Sequence, residues 1–389
     1  MIYITVKQSP MYHQMSLEEF LFQKDPQIQY VNMNLTNTRT YEVEAVTDYM
    51  QRKLGINPER LRMRLAEFNA RTEALRKRPR HELYREFHIP KKSGGLRKID
   101  APEPELMDAL RELKRIFEED FKALYHTSAY AYIKSRSTLD AMKRHQANES
   151  KWYAKYDLHN FFGSTTLDFL MRMLSMVYPF SAVMETEGGW TALHDALELA
   201  MLDGGLPQGT PISPMITNIM MIPVDFKLAN AFRNFENQRF IYTRYADDFQ
   251  VSSRYDFSFR DVEKLIVDTL ASFGAPFTIN SAKTRYGSNA GRNWNLGVMI
   301  NKDNQITVGY QKKRQFKAML ASFVMDYKNG IRWEKNDIQV MEGYRNYYHM
   351  VEGKTIDDII EHIDEKFGVN VLHMIKEELG ALGALRATR

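Results

Sequence analysis

Arg239-Phe240-Ile241-Tyr242-Thr243-Arg244-Tyr245-Ala246-Asp247-Asp248-Phe249-Gln250-Val251 decides how this chain is read. The β-formers on either side of Ala246-Asp247 predict two short strands joined by a tight turn. Neighbouring residues on a strand point to opposite faces, so only a turn lets two adjacent carboxylates approach one site. Asp also favours turns simply by bonding its own backbone. The pair alone therefore leaves a solvated turn and a metal-holding turn equally open.

A third carboxylate shifts the balance. In Lys155-Tyr156-Asp157-Leu158-His159-Asn160-Phe161-Phe162, Asp157 closes another strand-like run that starts at Trp152 and Tyr153. Three carboxylates on two such elements can hold a pair of divalent ions that clamp an attacking and a leaving oxygen at phosphorus. Mg²⁺ suits this, since it prefers oxygen ligands and completes its octahedron with phosphates and water, and Mn²⁺ is an alternative ion. Between the two carboxylate elements lies Leu206-Pro207-Gln208-Gly209-Thr210-Pro211-Ile212-Ser213-Pro214. Its glycine lets backbone approach a ligand closely and its prolines stiffen the loop. The plainer account is a connection into a helix-like stretch from Ile216 to Ala229.

This ordered set resembles bacterial reverse transcriptases of the group II intron, retron and phage-defence lineages. Ile89-Pro90-Lys91-Lys92-Ser93-Gly94-Gly95-Leu96-Arg97-Lys98-Ile99 is similar to the family's fingers hairpin, and Ser128-Ala129-Tyr130-Ala131-Tyr132 through Ser137 to the strand and turn before the first catalytic Asp. Ile279 to Thr284 resembles the segment that brings a lysine to the leaving pyrophosphate, and Asn295 to Ile300 the primer grip. The likeness covers about residues 80 to 300.

The resemblance implies an α+β fold of right-hand polymerase architecture, with fingers, palm and thumb, that performs RNA-directed DNA synthesis. It implies that Asp157, Asp247 and Asp248 hold two Mg²⁺ ions and that Lys283 serves the leaving pyrophosphate. Arg97 with Lys91 or Lys92 would meet the triphosphate. Phe162 would block a ribose 2′-hydroxyl, with Phe161 as the core residue. Leu158, Gln208, Gly209, Tyr245 and Ala246 would complete the nucleotide pocket and primer contact. The expected partners are an RNA template, a dedicated structured RNA, a DNA primer or product and deoxynucleotide triphosphates, with a protein partner or a second copy also admitted and no membrane.

Retron enzymes usually carry Asn-Ala-x-x-His and Val-Thr-Gly elements. This chain has Asp140-Ala141 with His145 one place late, and Leu296-Gly297-Val298. Gln208 and the closing Ser213-Pro214 argue against the diversity-generating lineage, and the short stretch after Ile300 argues against a full mobile-intron protein. These departures point to a stand-alone group II-like or defence-associated enzyme. A template-independent or protein-primed polymerase is the alternative within the same chemistry. A binding scaffold without turnover is a third, opposed by the intact Asp157, Asp247 and Asp248.

The composition is compatible. The 389 residues, 44% hydrophobic and 26% charged, suffice for a sizeable core. No apolar run approaches a membrane span and Met1 to Gln14 lacks the features of a secretion signal, so a cytoplasmic location is expected. With no cysteine, thiolate metal sites and thiol nucleophiles are excluded. The net charge is only +4, yet from Arg71 to Lys98 there are ten Lys or Arg against three Glu, a concentration suited to phosphates. A second cluster, Lys312-Lys313-Arg314, opens a helix-like stretch and is expected along duplex backbone.

The expected organisation is an N-terminal helical extension (1–78), fingers (79–150), a palm (151–305) with a helical insertion at about 167–202, and a helical thumb (306–389). Within the extension, helices are expected over Val43 to Leu54 and over Pro58 to Arg76, the latter started by its proline.

Overall fold

Asn57 and Pro58 start the first described helix of the computed structural model, which describes residues 55–90, 94–121, 125–233, 235, 238–290 and 296–387. The Asn57 side chain accepts the Arg60 N–H at 3.1 Å, and Pro58 fills a position whose N–H would have no helical partner. Helix α1 (Pro58–Arg71) stops at Thr72, whose hydroxyl donates back to the Phe68 carbonyl at 2.8 Å. The expected single helix is therefore split, with Glu73–Arg76 as the second piece. The helix expected over Val43 to Leu54 lies outside the described residues.

Strands β1 (Tyr84–Pro90) and β2 (Leu96–Pro102) pair antiparallel from Tyr84↔Pro102 to Pro90↔Leu96. Gly94 and Gly95 precede β2 at φ 87° and 78°, conformations that favour glycine. In helix α2 (Pro104–Phe121), Leu106, Leu110, Leu113 and Phe117 recur at helical spacing and are fully buried. Asp120, also buried, accepts hydrogen bonds from Arg60 and Arg64 of α1 at 2.7 and 2.6 Å. Thus α1, which falls in the stretch expected to be an extension, is sealed against α2.

Helix α3 (Thr138–Ala147) leads to β3 (Trp152–Asp157). The expected helical insertion consists of α4 (Leu167–Leu174), α5 (Phe180–Glu185) and α6 (Gly189–Glu198). Two helices, α7 (Ser213–Met220) and α8 (Ile222–Arg233), stand where one was expected from Ile216 to Ala229. Pro223 explains the break, because proline fits a first turn but not a helix interior. Then follow β4 (Ile241–Tyr245), β5 (Asp248–Ser253), α9 (Phe259–Ser272) and β6 (Arg285–Ser288). The sheet order is β4-β5-β3-β6, which puts the strands ending at Asp157 and starting at Asp248 side by side. The chain closes with the β7 (Met299–Ile300) and β8 (Ile306–Thr307) hairpin and helices α10 (Tyr310–Lys328), α11 (Lys335–Phe367) and α12 (Val371–Ala387).

Two compact units result: residues up to Ser137 with Ala154–Tyr286, and Thr138–Tyr153 with the chain from Gly287 onward. In this division α3 and the start of β3 belong to the second unit. That unit's core joins Phe316, Leu320 and Phe323 of α10 to Ile338 and Met341 of α11, Ile375 of α12, and Val298 and Ile300. Helix α11 breaks at Glu352 (φ −137°, ψ 58°), whose carboxylate accepts the Thr307 hydroxyl and the Val308 N–H, both at 2.8 Å. No described helix is long and apolar enough to cross a membrane.

Candidate active site

The pairing Tyr245↔Asp248 leaves Ala246 and Asp247 as the entire turn between β4 and β5. Ala246 sits at φ 57°, a left-handed conformation that costs a residue with a Cβ. Arg244 holds it there. This fully buried guanidinium donates to the Ala246 carbonyl at 3.0 Å, to Asn218 Oδ1 at 3.1 Å, and to both carboxylate oxygens of the equally buried Asp225 at 2.8 Å. The Tyr242 hydroxyl adds a bond to Asp225 Oδ1 at 2.7 Å. Sequence reasoning did not single out Arg244 and Asp225. The available signal was a lone acid in the apolar run Ile222-Pro223-Val224-Asp225-Phe226 and a lone base in the middle of a buried strand.

Asp157, 6% exposed, ends β3 beside this turn. The Leu158 N–H donates to the Asp247 carbonyl at 3.1 Å, and the Asn280 N–H to the Asp157 carbonyl at 2.7 Å, so backbone bonds fix the carboxylate-bearing segments to one another. Two lysines attend them. Lys283 Nζ lies 3.0 Å from both carboxylate oxygens of Asp157, and Lys155 Nζ lies 2.8 Å from Asp248 Oδ2. Lys155 was missed although strand alternation gives it away: two residues before Asp157, it shares that residue's face.

Burial, followed by the nearby charges of Asp248 and Asp157, pushes the Asp247 carboxyl up to about 6. Burial also raises Asp248, opposed by the Lys155 ammonium. The sheet has thus gathered more negative charge than two lysines neutralise comfortably, which is the electrostatic condition a divalent cation relieves. Asp248 Oδ1 is buried without a hydrogen-bond partner, an acceptor whose desolvation is uncompensated. An all-carboxylate donor set with an orphaned oxygen fits a hard cation. Among the described residues no three such side chains stand in ligand geometry, and Asp157 and Asp248 are each paired with a lysine.

The nucleotide-pocket candidates divide. The Gln208 carbonyl accepts the Asp100 N–H at 2.9 Å. Gly209 (φ 122°) passes so near β2 that a Cβ would stand 2.9 Å from the Asp100 carbonyl. Only glycine meets both demands, and the contact sets this loop against the strand that carries the exposed Arg97. The Phe162 carbonyl accepts the Leu206 N–H at 3.0 Å, tying Phe162 to the same loop. Phe161 is 2% exposed and packs on Phe277 at 5.0 Å, whereas Phe162 is half-buried. Leu158 is buried, and its N–H is taken by the Asp247 carbonyl. Tyr245 is half-buried at the turn. Lys91 and Lys92 lie outside the described residues.

In the second unit the basic cluster is not uniformly exposed. Lys313 is 23% exposed and pairs with Glu352 at 2.7 Å, and Lys312 donates to the Gly297 carbonyl at 2.7 Å. Arg314 faces solvent. Lys313 is thus paired at the α11 break while Arg314 lies open. His145 is fully buried in α3, and that burial holds its imidazole down at about 3.

The model of the reverse transcriptase (RNA-dependent DNA polymerase) family matches residues 89–318. The chain is 28% identical to the retron Ec83 reverse transcriptase of Escherichia coli over 76% of this chain and 90% of that protein. It is 28% identical to the Escherichia coli retron Ec73 enzyme over 61% of this chain and 75% of that one, and 26% identical to the Myxococcus xanthus retron Mx162 enzyme over 69% and 58%. The departures at Asp140 to His145 and at Leu296 to Val298 consequently do not set the chain apart from retron enzymes, and the inference away from them is corrected. The family uses divalent metal and reads an RNA template, and the right-hand polymerase fold goes with it. With its carboxylate turn and its match to the family over more than half its length, the chain belongs to the reverse transcriptase family and is an RNA-directed DNA polymerase.

Proposed function

We propose that this polymerase copies a dedicated structured RNA by two-metal nucleotidyl transfer, in a bacterial antiviral-defence or retroelement setting. The observation that carries the chemistry is the convergence of Asp157, Asp247 and Asp248 at one end of the sheet, with the Asp247 and Asp248 carboxyls raised and one Asp248 oxygen unpartnered. The retron relatives support the setting and the RNA.

Asp157, Asp247 and Asp248 are the residues that would hold Mg²⁺ or Mn²⁺. When bound, the ions neutralise charge on the attacking and leaving oxygens. The primer 3′-oxygen attacks the α-phosphorus in line, the α–β phosphoanhydride bond breaks and pyrophosphate leaves. Arg97 with Lys91 or Lys92 takes the β- and γ-phosphates. Lys283, freed from Asp157, reaches the departing pyrophosphate as a charge partner. Gln208 and Gly209 line the pocket floor, while Tyr245 and Ala246 bound it on the primer side.

Phe162 closes the pocket at the sugar. Phe162→Ala should reduce the preference for deoxy- over ribonucleotides by at least about tenfold, or roughly 1.4 kcal/mol of discrimination. Single-nucleotide incorporation with paired dNTP and NTP substrates checks this, and unchanged selectivity would move the gate to another residue.

For RNA held along α10, Arg314→Ala should flatten the dependence of log affinity on log salt by about one unit of slope. Lys313→Ala should leave the slope alone and instead lower stability on the order of 1–3 kcal/mol, because it strands a charge-assisted bond to Glu352. Filter binding at several salt concentrations and thermal melts separate the two. A slope change on removing Lys313 equal to that of Arg314 would contradict the buried assignment.

Sequencing nucleic acid that co-purifies with the chain tests the dedicated-RNA proposal. One defined, structured RNA is expected, and a random sample of cellular RNA would overturn it.

A further inference from the structure

Tyr132 lies at the carboxylate site and has no part in the function proposed above. Ala129 bridges Arg244 in parallel register, with the Arg244 N–H donating to the Ser128 carbonyl at 2.7 Å and the Tyr130 N–H to the Arg244 carbonyl at 2.9 Å. Both segments turn shortly after this bridge, at Ala131-Tyr132 and at Ala246-Asp247. The Asn218 amide donates to the Ala131 carbonyl at 2.6 Å, and Asn218 is itself held by Arg244. One buried network therefore fixes both the Ala246 carbonyl in the carboxylate turn and the peptide that precedes Tyr132.

The backbone at Tyr132 is unusual. Its φ of 58° puts a bulky aromatic residue in the left-handed region, a conformation that persists only where surrounding bonds impose it. That arrangement leaves the residue 55% exposed. Among the described residues no hydrogen bond or ring contact engages it. Single exposed aromatics are common on protein surfaces and need no explanation. This one is held by a strained backbone anchored to the catalytic turn, and that combination calls for a ligand. Partial burial raises its hydroxyl, the charges of Asp247 and Tyr245 add to that, and Arg97 opposes it.

We infer that Tyr132 is a substrate-contacting residue whose ring packs against the base of the incoming nucleoside triphosphate. The inference rests on the proposed roles of Asp247 and Arg97. An aromatic face suits this task because every base has a π-face, so contact strengthens binding without reading sequence. The ring's contribution falls on nucleotide binding, and the chemical step is left to the carboxylates.

Tyr132→Ala and Tyr132→Phe test this by single-nucleotide incorporation with each of the four dNTPs. The alanine variant should raise KM about tenfold for all four with kcat changed much less, while the phenylalanine variant stays within about twofold of wild type. Thermal unfolding of both should match wild type, since an exposed ring contributes little to packing. An unchanged KM in Tyr132→Ala would overturn the contact. Equal losses in both variants would overturn the ring as the contacting group and assign the hydroxyl instead. Asp247→Asn run alongside separates the levels: activity in that variant would defeat the carboxylate assignment, whereas its inactivity leaves the contact to be decided by the two Tyr132 variants.

Discussion

Asp247→Asn should abolish nucleotide incorporation and, without metal, melt at a higher temperature than the wild type at pH 7.5. The first effect follows from losing one of the charges proposed to hold the ions. Those ions supply several kcal/mol of transition-state stabilisation, roughly a thousandfold or more in rate. The second follows from the cost of the charge itself. The Asp247 carboxyl titrates near 6 in the folded chain against an ordinary 3.8, so between those values the native state holds more protons than the unfolded state. Stability therefore falls as pH rises through that window and is fully reduced above pH 6. Asparagine removes a penalty on the order of 2–3 kcal/mol, an upper figure because Asp248 shares it. The gap between variant and wild type should close toward pH 4, and Mg²⁺ should narrow it at neutral pH by stabilising only the wild type. Melting curves with EDTA at pH 4.5 and 7.5 check the sign. A variant less stable than wild type at pH 7.5 would mean that Asp247 is a structural turn residue.

The second large effect is on the buried brace. Arg244→Ala leaves Asp225 ionised in the core without its partner, a loss of about 3–5 kcal/mol. A loss of that size lowers activity through stability, so this variant alone says nothing about positioning. Arg244→Met with Asp225→Leu removes both charges and should recover most of the stability, since apolar replacements of a buried pair are often neutral. It still lacks the donors that hold the Ala246 carbonyl and Asn218. Incorporation by the folded double variant should therefore remain well below wild type with RNA binding intact. Wild-type incorporation in the double variant would show the pair to be packing alone.

Local signals in the sequence carried the hairpin, the strand ending at Asp157 and the Gly94-Gly95 turn, because alternation and turn chemistry act over a few residues. The brace was not legible for the opposite reason. Arg244 and Asp225 are joined only when α8 packs on β4, and a charged residue read in isolation looks like surface. The pairing of Lys313 was hidden in the same way: three consecutive basic residues suggest one exposed face, yet the break at Glu352 brings a carboxylate from α11 to the middle one. Helix α1 was legible from its proline start, but its attachment depended on Asp120 far along the chain. Lys155 was available from strand alternation and was passed over in favour of the acids.

Primer extension on a defined RNA template, with and without chelation of divalent metal, tests the central claim most directly. The carboxylate site predicts DNA complementary to the template, formed by wild type only when Mg²⁺ or Mn²⁺ is present and by none of Asp157→Asn, Asp247→Asn or Asp248→Asn. Product that ignores the template, or that survives either chelation or loss of these carboxylates, would contradict it.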